Sequence, residues 1–81
     1  MHCYVYRSRK RDQTYLYLRE RDDFSVLPDE LQRLFAGADL AMELELTPER
    51  RLAREDPREV LSNLKARGFH LQMPPLNEVP F

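Results

Sequence analysis

Five consecutive residues, Arg7-Ser8-Arg9-Lys10-Arg11, hold the densest reactive chemistry in the chain. Four are cations suited to an anion or phosphate, and Ser8 with Lys10 supplies the residue types of a nucleophile and its base. Their spacing matches no recognised nucleophile signature and their setting is a polar turn, so the segment favours contact over catalysis. A charged turn that keeps a hairpin soluble would have the same composition, and both readings stay open here. Glu43 and Glu45 stand two apart, which on a strand places both carboxylates on one face. Paired acid/base or metal chemistry would need a further partner, whereas ion pairs to arginines on neighbouring strands need none. His2, Cys3 and His70 are metal-ligand types, but alternation sends His2 and Cys3 to opposite faces and leaves too few ligands for zinc. Without a glycine-rich phosphate loop, a nucleophile elbow or a His-x-x-x-His pair, no cofactor or metal is expected.

The elements that must carry these residues follow from periodicity. Cys3 to Tyr6 and Thr14 to Leu18 alternate on either side of the polar Ser8 to Gln13 segment, the pattern of a β-hairpin. Tyr6 and Tyr17 join Arg7, Ser8, Arg9, Lys10 and Arg11 as the candidate binding set. The alternation suggests Cys3, Val5, Leu16 and Leu18 on one side and all four tyrosines on the other. Rings left bare in that number would form a large apolar patch of a kind monomers rarely expose, so a helix is expected to cover them. A first helix is expected from Pro28, with Val26 and Leu31 at hydrophobic-staple spacing and Gly37 as the stop. Leu40 to Leu46 alternates as a third strand, with Leu40, Met42, Leu44 and Leu46 inward. Residues 47–55 allow either a helical turn or a short irregular strand anchored by Leu52. Asp56, Pro57 and Glu59 cap a second helix that ends at Gly68. A fourth strand carries Phe69, Leu71 and Met73 inward and His70 and Gln72 outward, until Pro74-Pro75 stops the pairing.

The chain therefore reads strand, strand, helix, strand, helix, strand (ββαβαβ), an α/β or α+β domain on one mixed four-stranded sheet, with the hairpin central and the later strands toward the edges. Residues 1–75 form the single domain and 76–81 a flexible tail. Val5, Leu16, Leu44, Leu61, Leu64 and Leu71 are expected in one continuous core.

Eighty-one residues suffice for one small core, and 42 % hydrophobic with 33 % charged residues is a globular composition. A net charge of −1 gives no global bias toward nucleic acid or acidic lipid. A single cysteine, no signal-peptide pattern and no long apolar run lead to the expectation of a cytoplasmic protein without a membrane segment.

Tyr6-Arg7-Ser8 with Lys10, Thr14-Tyr15-Leu16-Tyr17, Asp22-Asp23-Phe24, Pro28 and Gly68-Phe69-His70-Leu71-Gln72-Met73-Pro74-Pro75 resemble the YcgL-like domain family, small bacterial proteins of uncharacterised function. The resemblance spans nearly the whole chain and implies an α/β/α sandwich with no established activity. The chain departs from that pattern at His70, where tyrosine is usual, and at Ala36 of Ala36-Gly37, where phenylalanine is usual.

A non-catalytic module that offers its basic tip and tyrosines to an unknown protein partner is the leading expectation, since Tyr and Arg carry interface energy. Nucleic acid is the alternative, with cations on phosphates and rings stacked on bases. A cryptic small-molecule enzyme ranks third.

Overall fold

A computed structural model describes residues 1–74. Its strands are β1 (His2–Arg7), β2 (Tyr15–Leu18), β3 (Asp39–Glu45) and β4 (Phe69–Gln72), and its helices are α1 (Asp29–Leu34), preceded by a 3₁₀ turn at Phe24–Val26, and α2 (Pro57–Arg67). The expected tail, residues 76–81, lies outside the described residues. The sheet order is β3-β1-β2-β4, which puts the hairpin in the middle and the later strands on the edges. Every ladder is antiparallel, so the sheet is not mixed. The helical crossover from β2 to β3 does join strands of like direction, but β1 lies between them and no parallel pair forms.

The hairpin register corrects the expected sorting of faces. Val5 pairs with Tyr17, Tyr6 with Leu16 and Tyr4 with Leu18. Residues opposite each other share a face, so Val5, Tyr15 and Tyr17 lie on one side and Tyr4, Tyr6, Leu16 and Leu18 on the other. A one-residue difference in turn length exchanges the two sets, and this turn, without an Asn-Gly or Asp-Gly pair, gives no sequence cue to its length. Gln13 takes a left-handed conformation (φ 55°) just before β2.

Each face has its own cover. Tyr6, Leu16, Leu18 and Phe69 pack under Leu27 and Phe35, with Val26, Leu31 and Leu34 at the margin. Cys3, Val5, Tyr17, Leu44 and Leu46 pack under Val60, Leu61 and Leu64 of α2. The expected single core is thus two cores separated by the sheet, with Val5, Leu44, Leu61 and Leu64 in one and Leu16 and Leu71 in the other. The result is a three-layer α+β domain.

The caps of α2 are those read from the sequence: Asp56 accepts from the Arg58 amide at 2.9 Å, Pro57 opens the helix and Gly68 closes it at φ 83°. No helix among the described residues is long and apolar enough to cross a membrane.

Candidate functional site

The basic tip is fastened to the fold. Ser8 is buried, donates to the Leu34 carbonyl at 3.0 Å and accepts from the amides of Lys10 and Arg11 at 3.1 Å each. It therefore shapes the turn and ties it to the end of α1. Lys10 donates its ammonium to the Arg33 carbonyl at 2.7 Å, where a cation also favours the helix C-terminus. Arg9 engages Asp39 with two guanidinium nitrogens, Nε to Oδ2 at 2.9 Å and Nη2 to Oδ1 at 2.6 Å. This pairing holds the Asp39 carboxyl below its usual range. Arg7 and Arg11 are exposed and have no ion pair among the described residues.

Tyr6 and Tyr17 are both buried but on opposite faces, so the seven residues singled out from the sequence do not share one surface. The Tyr6 hydroxyl donates to Asp22 Oδ1 at 2.9 Å and accepts from the Asp22 amide at 2.8 Å, pinning the connection that leaves β2. Tyr17 donates to Gln72 Oε1 at 3.0 Å. Burial, with the negative charge of Glu55 adding to it, pushes the Tyr17 phenol up to about 12. Cys3 is fully buried, and that burial pushes its thiol up to about 11.

The α2 face carries polar groups that alternation alone assigns to solvent. His70 and Gln72 are both buried there. The Asn63 amide nitrogen, which can only donate, lies 2.8 Å from His70 Nδ1. Nδ1 therefore accepts and the ring proton is assigned to Nε2, which faces Glu55 Oε1 in a short contact. The Tyr17 and His70 rings pack in a T-shaped arrangement with centroids 5.6 Å apart. Glu55 precedes α2, so this contact clamps the 47–56 segment to β4. A sequence signal for the network did exist: a sheet covered on both faces must bury His70 and Gln72 as well as Phe69 and Leu71, and buried polar groups need partners.

Residues 47–55 form neither helix nor strand, with Leu52 packed on the α2-face core. Between this segment and the sheet lies an open cleft of about 440 Å³. Val5, Tyr17 and Leu44 form its apolar floor, Tyr15, Met42 and Gln72 its sides, and Arg50, Arg51 and Arg54 its rim. The cleft is not legible in the sequence, because its rim is the segment with no regular period.

β3 departs from the expected half-buried strand. Its pairing with β1 slips between Val5 and Tyr6, with Met42 opposite Val5 but Leu40 opposite Tyr6. Ala41 is the extra residue of this bulge, and it sends Leu40 and Met42 to opposite faces rather than both inward. They are 37 % and 50 % exposed. Glu43 and Glu45 gather around His2, at 3.3 and 3.4 Å, and no cluster of metal-ligating side chains is present among the described residues.

The YcgL domain profile matches residues 3–75. A YcgL domain-containing protein of Thioalkalivibrio sulfidiphilus is 55 % identical over 80 residues, covering 99 % of each chain. Another from Stutzerimonas stutzeri is 49 % identical over 94 % of this chain and 78 % of its own length. A third, from Pectobacterium carotovorum, is 49 % identical over 93 % of this chain and 88 % of its own. With the profile matched across both strands of the hairpin, both helices and both edges of the sheet, the chain belongs to the YcgL domain family.

Proposed function

We propose that this protein is a non-catalytic interaction module that recognises a protein partner along the outer edge of β3. The observation that carries this reading is the exposure of Leu40 and Met42, two large apolar side chains on a strand that pairs on one side only. An extended partner segment added to that edge would gain main-chain hydrogen bonds and, because of the bulge, could bury an apolar side chain above and below the sheet. Asp39, Glu43 and Glu45 lie along this strand, each beside a basic group of the fold, and the bulge divides the edge. The bulge opposes pairing with a second copy of the same edge and favours a different partner.

A non-catalytic role is supported by the commitments of the polar side chains. Ser8, Tyr6, Tyr17 and His70 each hold an internal partner, and the Lys10 ammonium is bound to the Arg33 carbonyl rather than to the Ser8 hydroxyl. The nucleic-acid alternative is less well served, since the tyrosines divide between two covered faces and Arg9 and Lys10 are engaged within the fold.

The test is affinity capture from a bacterial extract by the wild type and by Leu40→Lys, with and without ribonuclease. A partner held by the wild type, resistant to ribonuclease and lost with Leu40→Lys is expected. Equal capture by both proteins, or capture abolished by ribonuclease, would contradict the reading.

A further inference from the structure

We infer that the cleft on the α2 face is a binding site for a small phosphorylated molecule with a planar body, the chemistry of a mononucleotide. This inference does not rest on the β3-edge reading: the cleft shares Met42 with that edge, but its charge comes from residues 50–54 and its floor from the sheet face.

Charge is the first observation. Arg50, Arg51 and Arg54 stand within five residues on the rim, and none has a carboxylate within ion-pair distance among the described residues. The acids nearest in sequence are committed or apart: Glu55 is held by His70, Asp56 caps α2, and Glu49 makes no ion pair among the described residues. Adjacent guanidinium groups repel unless an anion lies among them, and a phosphate dianion accepts their forked donors in pairs.

The floor supplies the second. At about 440 Å³ the cleft is within the usual range of small-molecule sites, which combine an apolar lining with a few placed polar groups. Tyr15 is half-buried and Met42 half-exposed, so a flat ring can lie against an aromatic side chain and a deformable thioether. An aliphatic phosphate would leave that surface unused.

Gln72 is the third. It is only 7 % exposed, and its carbonyl oxygen is taken by the Tyr17 hydroxyl. Its amide nitrogen makes no hydrogen bond among the described residues, and Gln72 lines the cleft, so in the proposed complex that NH₂ group is the donor for a ring carbonyl or ring nitrogen. The Tyr17 bond holds its orientation.

Titration of the ¹⁵N-labelled protein with the four ribonucleoside monophosphates, adenosine and inorganic phosphate, followed by amide shifts, tests the site. At least one monophosphate should bind at least tenfold more tightly than either adenosine or inorganic phosphate, with shifts centred on Tyr15, Met42, Leu44 and Gln72. Arg50→Gln/Arg54→Gln, both exposed positions that leave the core intact, should weaken that binding at least tenfold. Arg7→Gln/Arg11→Gln should change it less than twofold, and Leu40→Lys likewise, which separates this site from the β3 edge. No saturable binding by any monophosphate, phosphate binding as tightly as every nucleotide, or shifts centred on the hairpin tip would overturn the inference.

Discussion

The two faces of the sheet are built from the same hairpin, yet they are finished differently. On the α1 face, Tyr6, Leu16, Leu18, Leu27, Phe35 and Phe69 make an apolar core, and the one buried phenol is tied to Asp22. On the α2 face an apolar core under Val60, Leu61 and Leu64 gives way to Tyr17, His70 and Gln72, then to a cleft rimmed by arginines. Short covering elements complete the first face because the side chains packed beneath them are mainly apolar. The longer helix leaves the second face incomplete, with an irregular segment held over it by Glu55 and His70. Buried polar groups beside a cleft mark the side of the molecule on which recognition is to be sought.

Truncations in the closed parts of either face test this contrast with the largest effects. Phe35→Ala should lower stability by about 3 to 5 kcal/mol and Leu64→Ala by about 2 to 5 kcal/mol in urea denaturation. Similar losses on the two faces are expected, since Phe35 is 2 % and Leu64 0 % exposed. A near-neutral result for either would mean that its face is not closed there.

Removal of the two phenol hydroxyls sharpens the comparison. Tyr17→Phe strands a buried Gln72 oxygen and should cost about 1 to 3 kcal/mol. Tyr6→Phe leaves an Asp22 carboxylate and amide that water can reach, for which about 1 kcal/mol is expected. The reverse order in thermal or chemical unfolding would place the more demanding polar contact on the α1 face.

High pH should strain the α2 face in particular. The unfolded chain ionises Cys3 near 9 and tyrosine near 10, while the fold holds Cys3 and Tyr17 neutral up to about 11 and about 12. A raised folded pKa of this kind contributes stability that is whole below pH 9 and is lost as pH rises through those values. The urea midpoint should therefore fall progressively above pH 9, and Cys3→Ala should flatten the first part of that fall. An unchanged slope in the variant would show that the thiol is not held neutral.

Much of the frame was legible in residues. Asp56-Pro57 and Gly68 bounded α2, the hairpin took the centre of the sheet, and the Tyr-Arg-Ser and Leu-Gln-Met-Pro-Pro ends carried the family resemblance. The faces of the hairpin were not legible, because their sorting turns on the number of residues in a loop whose backbone is set by tertiary ties from Ser8 and Lys10 to α1. The tip cations misled for the same reason. Arg7, Arg9 and Arg11 read alike in the sequence, but it is Arg9 that reaches Asp39, across a β1–β3 pairing no local pattern reveals. The cleft stayed hidden because Tyr15, Met42 and Arg54 come together only through the sheet order and the Glu55–His70 clamp.

The smallest effect is expected where the α2 face is open. Met42→Ala should change stability by less than about 0.5 kcal/mol, in keeping with a half-exposed side chain outside the closed core. A loss of core size would mean that the cleft is filled in solution.

The difference between the faces is tested most directly by solvent paramagnetic relaxation, with a neutral soluble probe and the methyl and ring protons as reporters. Strong relaxation is predicted at Met42 and intermediate relaxation at Tyr15, with almost none at Leu16, Phe35 and Tyr6. Protection of Met42 and Tyr15 equal to that of Phe35 would contradict an open cleft on the α2 face.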